Sequence, residues 1–178
     1  MNYASIKEFD TANGEGVRVS LFVSGCTHHC KGCFNSEAWD FCYGQKYTDE
    51  TEDRIIEACK HDYIKGLSVL GGEPFEKANQ PTVCKLMKRF KKEYPQKDIW
   101  CYSGYTFDVD MIPSGRIYTE WTDEMLKCID FLVDGKFVEE LKNLRLKFRG
   151  SSNQRIIDVK QSLKEGKTVV IQENDTRI

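Results

Sequence analysis

The sequence predicts an α/β chain folded as a single domain, a partial and open β/α barrel around a mostly parallel sheet. Three observations lead there. Alternating apolar runs and helical periodicity take turns along the chain, the pattern of strands joined by crossover helices. The strand-like runs end in Gly-rich or polar turns. The length, 178 residues, falls short of the ~250 that a complete eight-fold barrel takes. No repeat and no Pro/Gly/Ser-rich linker divides the chain, so residues 1–178 read as one unit, with 157–178 set apart as a peripheral C-terminal extension.

The elements follow in order. Val17, Val19, Leu21 and Val23 alternate with other residues, which predicts a strand over 17–23. Thr48 and Asp49 open a helix with an acidic first turn that runs to Tyr63. A short apolar strand over 66–70 ends at Gly71-Gly72. A helix over 81–94 turns Val83, Leu86, Met87, Phe90 and Tyr94 inward, and Lys85, Lys88, Arg89, Lys91 and Lys92 onto a solvated outer face. A strand over 99–102 closes at Ser103-Gly104. A short helix over 122–128 leads to a strand over 129–133, closed by Asp134-Gly135. Residues 155–159 and 168–171 are expected to add strands. In parallel β/α folds ligands collect at the carboxyl ends of the strands. The four turns beginning at Ser24, Gly71, Ser103 and Asp134 therefore mark one rim as the site.

Composition narrows the classes of function. Charged residues reach 30% but nearly cancel, to a net charge of −2, which offers no field for nucleic acid or an anionic membrane. The apolar runs are only a few residues long, too short to cross a bilayer. Residues 1–9 lack the basic start and apolar block of a secretory signal. The expectation is a cytoplasmic protein.

Eight cysteines are many for such a chain, and without a secretory signal they are expected as thiols or metal ligands. Cys59, Cys84, Cys101 and Cys128 lie in helical or strand-like stretches and read as small core hydrophobes. Cys42 reads as a bystander and Trp39 as packing. Cys26, Cys30 and Cys33 are different: Gly25 and Gly32 place them on a loop. Structural zinc takes four ligands, whereas three thiolates on an iron–sulfur cubane leave one iron open to a ligand. Spacing alone favours the cluster but leaves zinc open, with His28 or His29 as a fourth ligand. Three cysteines on one helix face is the bland alternative, disfavoured by the intervening polar residues.

The stretch from Asn13 to Asn35, with Gly14-x-Gly16-x-Arg18, Phe22 and Cys26-x3-Cys30-x2-Cys33, resembles the signature of the radical S-adenosylmethionine (SAM) enzymes that activate glycyl-radical proteins. The similarity continues through Gly71-Gly72-Glu73-Pro74, Asp98-Ile99-Trp100, Gly104-Tyr105, Leu132–Phe137 and Arg149–Gln154, to about residue 155. Those last two blocks point to the branch that serves anaerobic ribonucleotide reductases.

The resemblance implies a radical SAM-type open barrel with one [4Fe–4S] cluster on Cys26, Cys30 and Cys33. SAM would chelate the open iron and be cleaved reductively to a 5′-deoxyadenosyl radical. That radical would take a hydrogen from a glycine of the partner, anaerobic ribonucleoside-triphosphate reductase. A low-potential donor such as flavodoxin would supply the electron. Gly71 and Gly72 would let backbone approach the SAM methionine end, and Glu73 would face its ammonium; on its own this stretch is a simple turn. Gly32, Cys33 and Phe34 would line the adenine side, although Phe34 reads equally well as core. Ser103 and Asp134 are candidates for ribose or methionine contacts and Lys136 for the SAM carboxylate, each otherwise a turn residue or surface charge. Arg18 is expected to support the cysteine loop. Two other functions compete: a small radical SAM enzyme acting on a purine-like metabolite, of the 7-carboxy-7-deazaguanine synthase type, and a zinc-stabilised binding module.

Overall fold

The computed structural model describes residues 1–171; the last part of the expected C-terminal extension, 172–178, lies outside the described residues. Seven strands form one sheet in the order β3-β1-β2-β4-β5-β6-β7. They are β1 (Asn2–Asp10), β2 (Val17–Val23), β3 (Gln45–Lys46), β4 (Ile64–Gly71), β5 (Asp98–Tyr102), β6 (Phe131–Asp134) and β7 (Arg155–Asp158). The helices are α1 (Asp49–Ala58), α2 (Gln80–Glu93), α3 (Phe107–Asp110), α4 (Thr122–Cys128) and α5 (Val159–Glu165).

The mostly parallel sheet is corrected to a mixed, open one. Only β2, β4, β5 and β6 run parallel to one another. Antiparallel pairing adds β1 and β3 at one edge and β7 at the other. Alternation conceals β1 because Tyr3, Ile6 and Phe9 recur every third residue. The strand accommodates them through register shifts at 3/5 and 7/10, and Phe9 ends up 69% exposed. Of the expected strand at 168–171, only a single bridge between Val170 and Ile157 forms.

Element ends move for local reasons. Thr48 caps α1 through the Thr51 backbone N–H in a capping box, with Asp49, Glu50 and Glu52 in the first turn. The helix stops at Ala58 instead of Tyr63, because a turn closed by Ile64 N–H on the His61 carbonyl starts β4 two residues early. Pro81 sits in the first turn of α2, where a missing N–H costs nothing. The Ile129 N–H caps α4 on the Met125 carbonyl, which delays β6 to Phe131.

The main core lies between the helices and one sheet face. It holds Val19, Leu21, Val23, Leu67, Val69, Ile99 and Leu132 from the strands with Ile55, Val83, Leu86, Phe90 and Met125 from the helices. Each such side chain is worth about 1.5–3 kcal/mol by burial. Cys59, Cys84, Cys101 and Cys128 join this core as expected, and Cys42 is exposed. The basic stripe on α2 is not merely solvated. Lys85 pairs with Asp49 of α1, Arg89 with Asp53, Lys88 with Glu124 of α4, and Lys91 with Asp130.

The opposite sheet face carries a smaller cluster, Trp100, Val133, Ile156 and Ile171, and a buried arginine. Arg18 donates to Ser68 Oγ at 2.7 Å and to the Leu67 carbonyl at 3.0 Å, pairs with Asp98, and lies over the Trp100 ring. Gly14 makes room for it, since a Cβ there would sit 2.8 Å from the Trp100 ring. Arg18 is thus at the amino end of β2, five residues or roughly 16 Å from the strand's carboxyl end, beyond which the cysteine loop begins. It braces the far end of the sheet, not that loop as the sequence led us to expect.

Candidate metal centre

The carboxyl ends of the four parallel strands meet on one rim, as the turn residues foretold. From β2 the chain enters the loop that bears Cys26, Cys30 and Cys33. The Gly25 N–H donates to the Ala38 carbonyl at 2.8 Å and the Cys26 N–H to the Trp39 carbonyl at 3.1 Å. The short 3-10 turn over Ser36–Trp39 therefore clamps the start of the loop. Gly25 has φ +95°, Gly32 φ +70° and His29 φ +47°, a sharply folded course that rules out three cysteines along a helix face. The Cys33 N–H closes a turn on the Cys30 carbonyl at 3.1 Å.

The turn after β4 is sewn to this loop. The Gly72 N–H donates to Val23 and the Glu73 N–H to Gly25. A Cβ on Gly71 would lie 2.6 Å from the Val23 backbone, and one on Gly72 would lie 2.6 Å from the Gly25 oxygen. The close approach that this glycine pair permits is to the backbone of β2 and of the cysteine loop. Glu76 Oε1 accepts from the Thr27 N–H at 2.8 Å and its hydroxyl at 2.6 Å. Asn79 Nδ2 donates to the Ser24 and Glu73 carbonyls, both at 3.0 Å.

Glu73 is 1% exposed. Its Oε1 accepts from the Phe75 N–H and Ser103 Oγ, both at 2.9 Å. Its Oε2 accepts from the Gly104 N–H at 2.7 Å and meets His28 Nε2 at 3.1 Å. Ser103 thus reaches the rim as a partner of Glu73. Asp134 is fully buried at the end of β6, where Arg155 Nε and Nη2 and the Phe107 N–H, at 2.9, 2.6 and 2.8 Å, occupy its carboxylate. Lys136 is exposed, and its charge reaches Cys30. Phe34 is 81% exposed, so it is not a core residue. Gly32 lies against Glu139, which also pairs with Lys31 at 3.0 Å.

Sequence reasoning missed Thr27, His28, Glu76, Asn79 and Tyr105 as parts of this framework. The signal available was the three-residue recurrence Glu73, Glu76, Asn79, which carries polar side chains from one turn toward one loop.

The thiols differ in environment. Burial pushes Cys26 up to about 12, opposed by the His28 N–H and reinforced by Glu73 and Glu76. Burial also raises Cys30, with the Lys136 charge acting the other way. Such thiols ionise when a metal takes them. The Asn35 N–H points at Cys33 Sγ at 3.4 Å, the kind of outer hydrogen bond that tunes a ligating sulfur. Ser24 Oγ and Asn35 Nδ2, at the two ends of the loop, are buried with no hydrogen-bond partner among the described residues. Unspent polar groups of this kind belong with a bound water or ion. No three His, Cys, Asp or Glu side chains among the described residues converge as a cage for a single ion. A cubane asks for something else, because each thiolate binds a different iron corner. Three thiols on one loop with orphan polar groups beside them fit such a group.

The comparisons with known proteins agree. A family described as "4Fe-4S single cluster domain" matches residues 12–157. A protein of Vibrio cholerae serotype O1 named anaerobic ribonucleoside-triphosphate reductase-activating protein is 45% identical over 159 residues, 88% of this chain and 97% of its own. Proteins of the same name from Escherichia coli K12 and Enterobacteria phage T4 are 42% and 38% identical. They cover 86% and 88% of this chain and 96% and 93% of their own. With an iron–sulfur family model over most of its length and relatives matched nearly end to end, the chain belongs to the family of anaerobic ribonucleoside-triphosphate reductase-activating proteins.

Proposed function

We propose that this chain is a cytoplasmic radical SAM activase. Cys26, Cys30 and Cys33 would hold one [4Fe–4S] cluster, and the rim formed by the turns after β2, β4 and β5 would hold SAM beside it. When bound, the pair supplies one-electron reductive cleavage of a sulfonium, with an electron from a donor such as flavodoxin. The target of that chemistry would be a glycine of anaerobic ribonucleoside-triphosphate reductase.

This chain's own residues have definable parts. The three cysteines would supply three thiolates to the cluster. Glu73 presents a buried carboxylate to the ligand's ammonium, held in place by the Phe75 and Gly104 N–H groups and the Ser103 hydroxyl. Gly72 and Glu76 keep that carboxylate in register with the cysteine loop. Gly32 and the exposed Phe34 flank the adenine side, and Lys136, near Cys30, balances the ligand carboxylate. The sheet is read as a trimmed radical SAM barrel whose open side the partner's glycine loop covers, excluding water from the reaction.

The observation that carries this reading is the direct joining of the cysteine loop to the Glu73 turn at the carboxyl ends of parallel strands. The relatives' shared name favours the activase over the deazaguanine and zinc alternatives. The test is anaerobic reconstitution, followed by mixing with reductant, SAM and purified reductase. Iron and sulfide matching one [4Fe–4S] cluster per chain and a glycyl-radical EPR doublet on the reductase are expected. Cys26→Ala, Cys30→Ala and Cys33→Ala should each abolish both signals. A colourless, zinc-loaded protein, or a doublet that survives loss of any of these cysteines, would overturn the reading.

A further inference from the structure

One member of the Glu73 shell stands apart from the others. A carboxylate offers about four acceptor positions, and all are taken here. The Phe75 and Gly104 N–H groups are backbone, and the Ser103 hydroxyl rises from the end of β5. The two N–H groups cannot leave without moving the fold, and the buried Ser103 hydroxyl is held by the Tyr105 N–H on its oxygen at 3.0 Å. The fourth, His28 Nε2 at 3.1 Å, comes from the cysteine loop on a side chain with two rotatable bonds.

The imidazole has a shaped seat. Its side chain is 7% exposed. The ring rests on Tyr105 with centroids 4.3 Å apart. Gly104 leaves space for it, since a Cβ there would lie 2.6 Å from both Cδ2 and Nε2 of the ring. The Tyr105 hydroxyl in turn reaches Glu76, which holds Thr27, the residue before His28.

Resting on the SAM reading above, we infer that His28 competes with the ligand's ammonium for Glu73. The ring holds the one exchangeable acceptor position of that carboxylate, and an amine-bearing ligand binds as the ring swings out. His28 is therefore a positioning residue that sets how tightly the amino end of the ligand is held and links its arrival to movement of the loop between Cys26 and Cys30. No bond is made or broken in this exchange, and one charge-assisted hydrogen bond replaces another.

The test measures anaerobic binding by calorimetry to the cluster-loaded protein. One probe is SAM, and the other is its analogue with hydrogen in place of the α-amino group. His28→Ala removes the competitor and is expected to tighten SAM about tenfold, the worth of one hydrogen bond to a charged group, while leaving the amine-free analogue unchanged. Gly104→Ala keeps the backbone N–H to Glu73 but fills the ring's seat, so it should shift SAM affinity in the same direction even if His28→Ala folds poorly. A role in packing alone would move both probes together, and that result overturns the inference. So does SAM affinity that is unchanged or weaker in both variants. If the unaltered protein binds no SAM, the activase reading itself falls; if it binds SAM but the variants show no split between probes, only the role of His28 falls.

Discussion

Glu73 donates its backbone N–H to the Gly25 carbonyl at 2.9 Å, which ties the acidic turn to the start of the cysteine loop. A methyl group on the neighbouring Gly72 would meet the Gly25 oxygen at 2.6 Å and the Ala38 oxygen at 2.8 Å. Both obstacles are backbone, and neither can rotate aside. Gly72→Ala is expected to cost roughly 1–3 kcal/mol through this overpacking. It should also lower the iron retained per chain after reconstitution while far-UV circular dichroism stays native. Full iron retention would show that the two loops can separate without harm.

Arg18 is fully buried and serves five acceptor atoms, Ser68 Oγ, the Glu15, Leu67 and Asp98 carbonyls and the Asp98 carboxylate. Arg18→Met strands the Asp98 carboxylate, which burial already pushes up, and should cost about 3 kcal/mol in urea unfolding. Arg18→Lys should rescue little, because one ammonium cannot span that fork of acceptors. Iron content and SAM affinity of the folded fraction are expected to match the unaltered protein. Loss of the cluster at full folding would instead restore Arg18 to the loop.

Arg155 of β7 ties Asp134 of β6 to Asp108 of α3. Its removal in Arg155→Met leaves the buried Asp134 carboxylate without a counter-charge. The expected cost is roughly 2–3 kcal/mol, below that of a fully buried pair because the arginine is 30% exposed. Chemical denaturation measures it. A negligible change would mean that water readily replaces the guanidinium at Asp134.

The same arginine holds the Asp108 carboxyl below its ordinary 3.8. A carboxyl depressed in the folded state adds stability at pH above 3.8, and that contribution drains away as pH falls through the lower folded value. The unfolding free energy of the unaltered protein should therefore drop more steeply below pH 3.8 than that of Asp108→Asn. Parallel slopes would contradict the pairing.

Exposure orders the thiols for alkylation. In cluster-free protein, Cys42 should react first, Cys30 and Cys33 next and Cys26 last of the loop, with Cys59 and Cys101 silent until unfolding. Cluster loading should protect Cys30 and Cys33 but leave Cys42 reactive. Mass spectrometry of the labelled peptides reads both states, and continued labelling of Cys33 after loading would remove it from the ligand set.

Much of this was legible in one dimension. Strong local periodicity placed β2, β4, β5, α2 and α4 to within a few residues. Parallel β/α order put Ser24, Gly71, Ser103 and Asp134 on a common rim. Residue chemistry singled out Cys26, Cys30 and Cys33 from the five other cysteines. The strand β1 escaped because bulges break its alternation.

What only the tertiary structure decided is which polar groups satisfy one another, and that depends on atoms brought together from distant segments. Nothing local in the sequence announced that Asp134, offered as a candidate ligand contact, pairs with Arg155, 21 residues away. His28 looked like a spare zinc ligand until it proved to sit on Glu73. Periodicity and spacing are local properties written into the chain, whereas the partner of a buried charge is chosen by the fold, because desolvation makes every unpaired group costly and any segment within reach can meet the need.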